Sequence, residues 1–227
     1  SPVAAAIGIA RCQDAVGALD DALHTLEKVD ANAADTPDVA AEQARLEFQR
    51  GHYDAAQAHV NAALARNPDQ PLARFMLAEL HRVAGRLDLA SDSYRWFVRF
   101  YNARQDSLSD PEVLRWIGLA AAQYARWNRN SEQFHFLVNV LYPDAVKRDP
   151  IYWPAHLEVA RLFTEKFNQA DALTDLNAAL AINPNAAEAH AARAMLALQQ
   201  FDLDAAGAAV DRALAINPRL VLAHQVR

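Results

Sequence analysis

The chain has 227 residues, a formal net charge of −6 and 22% charged side chains, a balance with no general attraction to nucleic acid or anionic membranes. Its one cysteine, Cys12, excludes an intrachain disulfide and a thiolate metal cluster and fits a reducing compartment, which favours a cytoplasmic location. No uncharged run approaches the roughly 18 apolar residues of a bilayer span, so no membrane partner is expected. In chain order, residues 3–29 read as helical, with Ile7, Val16, Leu19, Leu23 and Leu26 at helical spacings and no proline among them. Gln13-Asp14-Ala15 resembles the turns that open second helices further along, so 1–34 reads as a partial first repeat. Asp30–Asp35 is a polar loop. Thr36-Pro37 marks a helix start, a hydroxyl N-cap followed by proline at the first helical position.

From Pro37 onward the sequence copies itself with a period of 34, most plainly where Trp153–Pro184 is laid over Ala187–Pro218. Ala160 then falls on Ala194, Ala172 on Ala206 and Ala179 on Ala213, and both stretches end Ala-Leu-Ala-Ile-Asn-Pro. Ala44, Gly51, Ala56, Ala63 and Pro68 hold the same slots in one earlier unit, and Ala78, Gly85, Ala90 and Phe97 in the next. A period of this size indicates stacked helix pairs, none able to bury its apolar face alone. The small residues let paired backbones approach closely. Asn67, Asn183 and Asn217 stop the second helices, because a residue before proline is pushed out of the α region.

The regular repeats are 35–68, 69–102, 151–184 and 185–218, and 219–227 starts a truncated one. A solenoid ordinarily ends on a polar capping helix, so the chain reads as a fragment of a longer protein. Residues 103–150 form a longer, irregular unit: Ala78 to Ala160 is 82 residues, 14 more than two periods. Placing Trp116, Leu119 and Ala120 on its opening helix puts 8 of these in Asn102–Ser109 and 6 near Pro143–Pro150. Ser109-Asp110-Pro111-Glu112 reads as a capping box with an early proline. The second helix is expected to start at Ser131, with Glu132 in the alanine slot.

These residues resemble the tetratricopeptide repeat family, whose pattern of small, aromatic and closing proline positions recurs every 34 residues. The likeness is close over 37–102 and 153–218 and looser elsewhere. It implies an all-α, right-handed superhelical solenoid of antiparallel helix pairs, 1–227 forming one domain, whose opening helices line a concave groove. Carried over slot by slot, the peptide-binding groove comprises Arg45, Phe48, Gln49, Phe75, Glu79, Arg82, Ile117, Tyr124, Leu157, Arg161, Glu165 and Met195. Members that clamp a chaperone's C-terminal carboxylate use lysines and asparagines in slots that here hold Ala41, Arg45, Met76, Leu114 and Gly118, so that activity is disfavoured.

No catalytic constellation, phosphate-binding glycine loop or cofactor motif is present, so the chain is read as not an enzyme and as needing no cofactor. His156, His190 and His224 are spaced by whole repeats, about 10 Å per helix, too far apart to share a metal at about 2 Å. They read as packing histidines, and Cys12 as a buried small hydrophobe. Tyr94–Trp153 holds 13 of the 19 aromatics and a charge of +2 against −8 for the rest, suiting either the packing of an irregular unit or a binding hot spot. The expected function is a scaffold that binds a protein or peptide, apolar with at least one acidic residue, on its concave face. The alternative is a structural or oligomerisation scaffold that positions an attached catalytic domain. Nucleic acid is not an expected partner, and homo-oligomer formation stays open.

Overall fold

Every helix pair turns on one residue held at positive φ. The computed structural model describes residues 2–32 and 36–227, with Asp30–Asn32 as backbone alone. The helices are α1 (Pro2–Ala15), α2 (Leu19–Asn32), α3 (Pro37–Gln49), α4 (Tyr53–Arg66), α5 (Pro71–Val83), α6 (Leu87–Arg104) and α7 (Pro111–Asn128). Then come α8 (Ser131–Phe136), a π-helical turn (Leu137–Leu141), α9 (Tyr142–Arg148), α10 (Trp153–Glu165), α11 (Gln169–Ile182), α12 (Ala187–Gln199), α13 (Leu203–Ile216) and α14 (Val221–Val226). Among the described residues every regular element is helical, in an all-α tetratricopeptide-like solenoid.

The residue between the helices of each pair is left-handed: Gly17, Gly51 and Gly85 at φ 80°, 79° and 72°, then Arg129, Phe167 and Phe201 at 52°, 57° and 59°. At Gly51, Gly85, Phe167 and Phe201 its N–H donates three residues back, to Phe48, Arg82, Thr164 and Leu198. This position sets the repeat register where the sequence is irregular. Gly85 to Arg129 is 44 residues and Arg129 to Phe167 is 38, so ten of the extra residues precede the turn and four follow it. The division expected above was eight and six. The small slot on α7 therefore belongs to Ala122 rather than Ala120, and the alanine slot after the turn to Phe134 rather than Glu132.

The helix begins at Ser131, as expected, and runs on past Pro143 to Arg148. Pro143 has no N–H for the preceding turn, and widening that turn lets the helix continue. Tyr142 N–H reaches the Leu137 carbonyl, five residues back. Close approach in this unit is made by a glycine: a Cβ on Gly118 would overlap the hydroxyl and ring of buried Tyr142.

At the N-terminal end, α1 runs through Gln13–Ala15, and the turn falls at Gly17, so those three residues do not open the second helix. Residues 2–32 supply both helices of a pair. The polar loop expected at Asp30–Asp35 begins with the last turn of α2, and its remainder lies outside the described residues. Thr36 occupies the N-cap of α3, but its hydroxyl makes no capping bond. Pro37, with its φ already set for helix, is left to carry that start. The capping box at α7 is also replaced: the Asp110 carboxylate accepts from Glu112 N–H at 2.9 Å, and the Glu112 side chain accepts from the Tyr152 hydroxyl instead.

The chain divides into two compact units: Ser1–Asp14 with Ala18–Ser107 and Arg126–Asn128, and Ala15–Gly17 with Leu108–Ala125 and Arg129–Arg227. In the first, α3 packs on α2, α4 and α5, and α5 on α6. Ala44, Ala56, Ala63, Ala78 and Ala90 are fully buried in the small slots. In the second, α10 packs on α11 and α12, and α12 on α13 and α14, around Leu157, Ala160, Leu176, Ala189 and Leu196. Asn67, Asn183 and Asn217 end their helices extended, at φ −132°, −128° and −128°. Each side-chain oxygen accepts from the N–H two residues on. Asp149 does the same before Pro150 and closes the irregular unit.

Candidate functional site

Three side-chain clusters lie along the opening helices. On α3, Glu42 is 2% exposed, taken out of water by the packing of the helix that carries it. It accepts from Arg45 Nε at 2.8 Å and from Arg11 Nε of α1 at 2.6 Å. Arg45 also donates to Asp14 at 2.6 Å. Burial pushes the Glu42 carboxyl up, but the two guanidiniums outweigh it and hold it below the usual carboxylate range. Arg45 is held in its charged form, burial opposing and Glu42 and Asp14 prevailing.

The second unit repeats the arrangement. Glu158 of α10, 3% exposed, accepts from Arg115 of α7 at 3.1 Å and from Arg161 at 3.2 Å. Its carboxyl too is raised by burial and lowered further by Arg161 and Arg115. Glu42 and Glu158 stand two residues before the small slot, and Arg45 and Arg161 one after it. Glu-x-x-Arg in those slots was therefore a signal available in the sequence.

Between α5 and α6, Arg82 donates through Nε and Nη2 to one oxygen of Glu79, at 3.0 and 2.6 Å. The other Glu79 oxygen accepts from the Tyr94 hydroxyl. Tyr94 is buried, and burial with Glu79 beside it raises its pKa far above the usual phenol range. Phe75 packs against Tyr94 and Phe97 at ring distances of 6.4 and 6.5 Å. Trp127 meets Tyr94 edge-on at 5.4 Å and is 37% exposed. Trp127 and Arg126 take the slots of Val83 and Arg82 once Arg129 sets the register; the earlier register hid them.

The remaining expected groove residues scatter. Phe48, half-buried, lies 5.3 Å from Tyr53, while Gln49 and Met195 are exposed and Glu165 sits 3.8 Å from Lys166. Ile117 and Leu157 are 2% and 1% exposed; both are closed into the core and have no face for a ligand. Ile117 takes the slot of buried Val39, Ala73, Ala155 and Ala189. Tyr124 moves from the Arg82 slot to that of Leu46, Leu80, Leu162 and Leu196, all core residues, and is half-buried.

His190 and His224 donate from Nε2 to the Pro184 and Pro218 carbonyls at 3.0 and 2.8 Å, and Arg74 in the same slot donates to the Pro68 carbonyl. His156 instead pairs with Asp175 at 2.8 Å. Cys12 is exposed rather than buried, because it lies on the outer side of α1, away from Ala6 and Ala10. Among the described residues no group of three or more histidine, cysteine or acidic side chains could hold a metal, and no helix is long and apolar enough to cross a membrane.

The family model of the tetratricopeptide repeat matches residues 41–107 and 168–220, over half the chain, and the chain belongs to that family. A thermophilic tetratricopeptide repeat protein of Thermus thermophilus superposes with a TM-score of 0.65 at 22% identity, over 84% of this chain and 97% of that one. One from Parabacteroides merdae gives 0.61 at 16% identity, covering 99% and 82%. A chain of the APC/C hetero-tetramer Cut9–Hcn1 gives 0.58 at 18%, covering 92% and 39%. No curated protein matches the chain. Family and fold together make this a scaffold of the protein-interaction kind, a class that is in general not catalytic.

Proposed function

We propose that the opening-helix face of the first unit binds an apolar segment of a protein partner, with Phe75, Arg82 and Trp127 as its anchors. The observation that carries this is the Arg82 guanidinium, 40% exposed yet held by two N–H bonds to Glu79, beside the aromatic group of Phe75, Tyr94 and Trp127. An arginine whose rotamer is already fixed loses little entropy on binding, and arginine and tryptophan dominate interface hot spots. Arg45 is neutralised within its own chain by Glu42 and Asp14. Arg82 is paired as well, with Glu79, but at 40% exposure against 14% for Arg45 it is the one of the two that can still meet an acidic residue of the ligand. Once a partner is isolated by pull-down, calorimetry of Arg82→Glu and Trp127→Ala should each show binding weaker by about 1–3 kcal/mol. Arg212→Glu, on the second helix α13, should bind as the parent does. Unchanged affinity in both anchor variants would rule this face out.

A further inference from the structure

Phe167 and Phe201 break the rule of their own slot. The residue between paired helices is left-handed in every unit, a conformation that glycine adopts freely and a bulky side chain adopts only under strain. Gly17, Gly51 and Gly85 fill the slot in the first three pairs, yet here it holds phenylalanine at φ 57° and 59°. Burial does not offset that strain, since Phe167 is 74% exposed and Phe201 89%. The turn's backbone bonds are those of the glycine turns: Phe201 N–H donates to Leu198 as Gly85 N–H donates to Arg82. Among the described residues both rings stand largely in solvent.

The two turns are neighbours. Gln200 donates to Gln169 at 3.4 Å, and Gln199 donates to the Thr164 carbonyl at 3.1 Å. Leu203, two residues beyond Phe201, is 70% exposed, and Leu173, six beyond Phe167, is 41% exposed. Asp171, Asp202 and Asp204 stand in or beside the turns. The nearby cation, Lys166, is directed onto the Phe134 ring at 3.9 Å and lies 3.8 Å from Glu165. The edge is thus apolar with a carboxylate rim.

We infer that this edge is a second docking surface, and that it takes a protein segment alternating aliphatic and cationic side chains. Aliphatic groups would pack between the rings, while guanidiniums lie over ring faces and meet the aspartates. A second copy of the chain fits less well. Four side chains of this size offer a few hundred Å², below the roughly 800 Å² per partner of a standard interface.

The test uses fluorescence anisotropy with a labelled short peptide of alternating leucine and arginine, and a leucine–glutamate peptide as its charge-reversed control. The parent chain should bind the first and not the second. Phe167→Gly with Phe201→Gly should weaken that binding by roughly tenfold or more, and Asp204→Asn by less. The same double variant should melt no lower than the parent, because glycine relieves the turn. The inference fails if the parent ignores the leucine–arginine peptide, if both peptides bind alike, or if the variant binds unchanged. It also fails if the variant melts several degrees lower, which would make the rings part of the fold. Sedimentation showing a parent dimer that the variant abolishes would assign the edge to a second copy and overturn the inference too.

Discussion

Glu42 and Glu158 show how far one residue's environment can reverse what its type suggests. Each is almost fully buried, and each remains ionised because two arginines, one from its own helix and one from the preceding opening helix, face it. Removing one partner of a buried pair leaves the other charge uncompensated, at about 3–5 kcal/mol. Glu42→Gln and Glu158→Gln should lose about that much in urea unfolding at neutral pH, while Glu27→Gln, on an exposed site, should lose next to nothing. The pH dependence follows from the direction of the shifts. Both folded-state carboxyls lie below the ordinary glutamate value of 4.5. Their contribution is therefore present above that value and is lost as pH falls through the lower folded-state value. Acid titration of stability should be flatter in each glutamine variant than in the parent below pH 4.5; parallel curves would show that the arginines do not hold these charges.

At the scale of the element, one geometric demand is met by two chemistries. The regular pairs approach through alanines, such as Ala160 and Ala172, both fully buried. Ala172→Leu or Ala206→Leu should destabilise by about 1–3 kcal/mol through overpacking, whereas Ala181→Leu, at an exposed position near the end of its helix, should be near neutral. In the irregular unit Phe134 fills the alanine slot, and Gly118 against Tyr142 supplies the close approach. Gly118→Ala should there cost a similar amount despite alanine's better helix propensity. Thermal denaturation of the four variants checks both statements, and a stabilised Gly118→Ala would mean that Tyr142 can move aside.

For the whole molecule, stability is carried by helix pairs burying their apolar faces on one another within each unit. The histidine slots are occupied by hydrogen bonds to proline carbonyls or, at His156, to Asp175. Circular dichroism melts should therefore be unmoved by chelator and by reductant. A midpoint about ten degrees lower with chelator, a shift worth more than roughly 1 kcal/mol for a chain of this size, would reveal a metal in the fold. Protein binding on an opening-helix face and on a turn edge would be independent activities. Arg82→Glu should leave the peptide anisotropy of the turn edge unchanged.

The helix pairs, their period and the closed alanine contacts were determined by the sequence alone. Small residues, turn formers and Asn-Pro stops act within a few residues of where they stand, and they recur at 34-residue intervals. The register of the irregular unit was decided only by the tertiary structure. Between Ala78 and Ala160 two insertions share 14 extra residues, and the residue that divides them, Arg129, carries no local sign of a left-handed turn as glycine would. That two-residue difference moved Tyr124 to a core slot and brought Trp127 beside Tyr94. The pairing of the arginines was likewise out of reach, since Arg11 and Arg115 find their glutamates 31 and 43 residues away. Such contacts exist only once one repeat has packed on the next, because the sequence specifies the spacing of helices but not which long side chains meet between them.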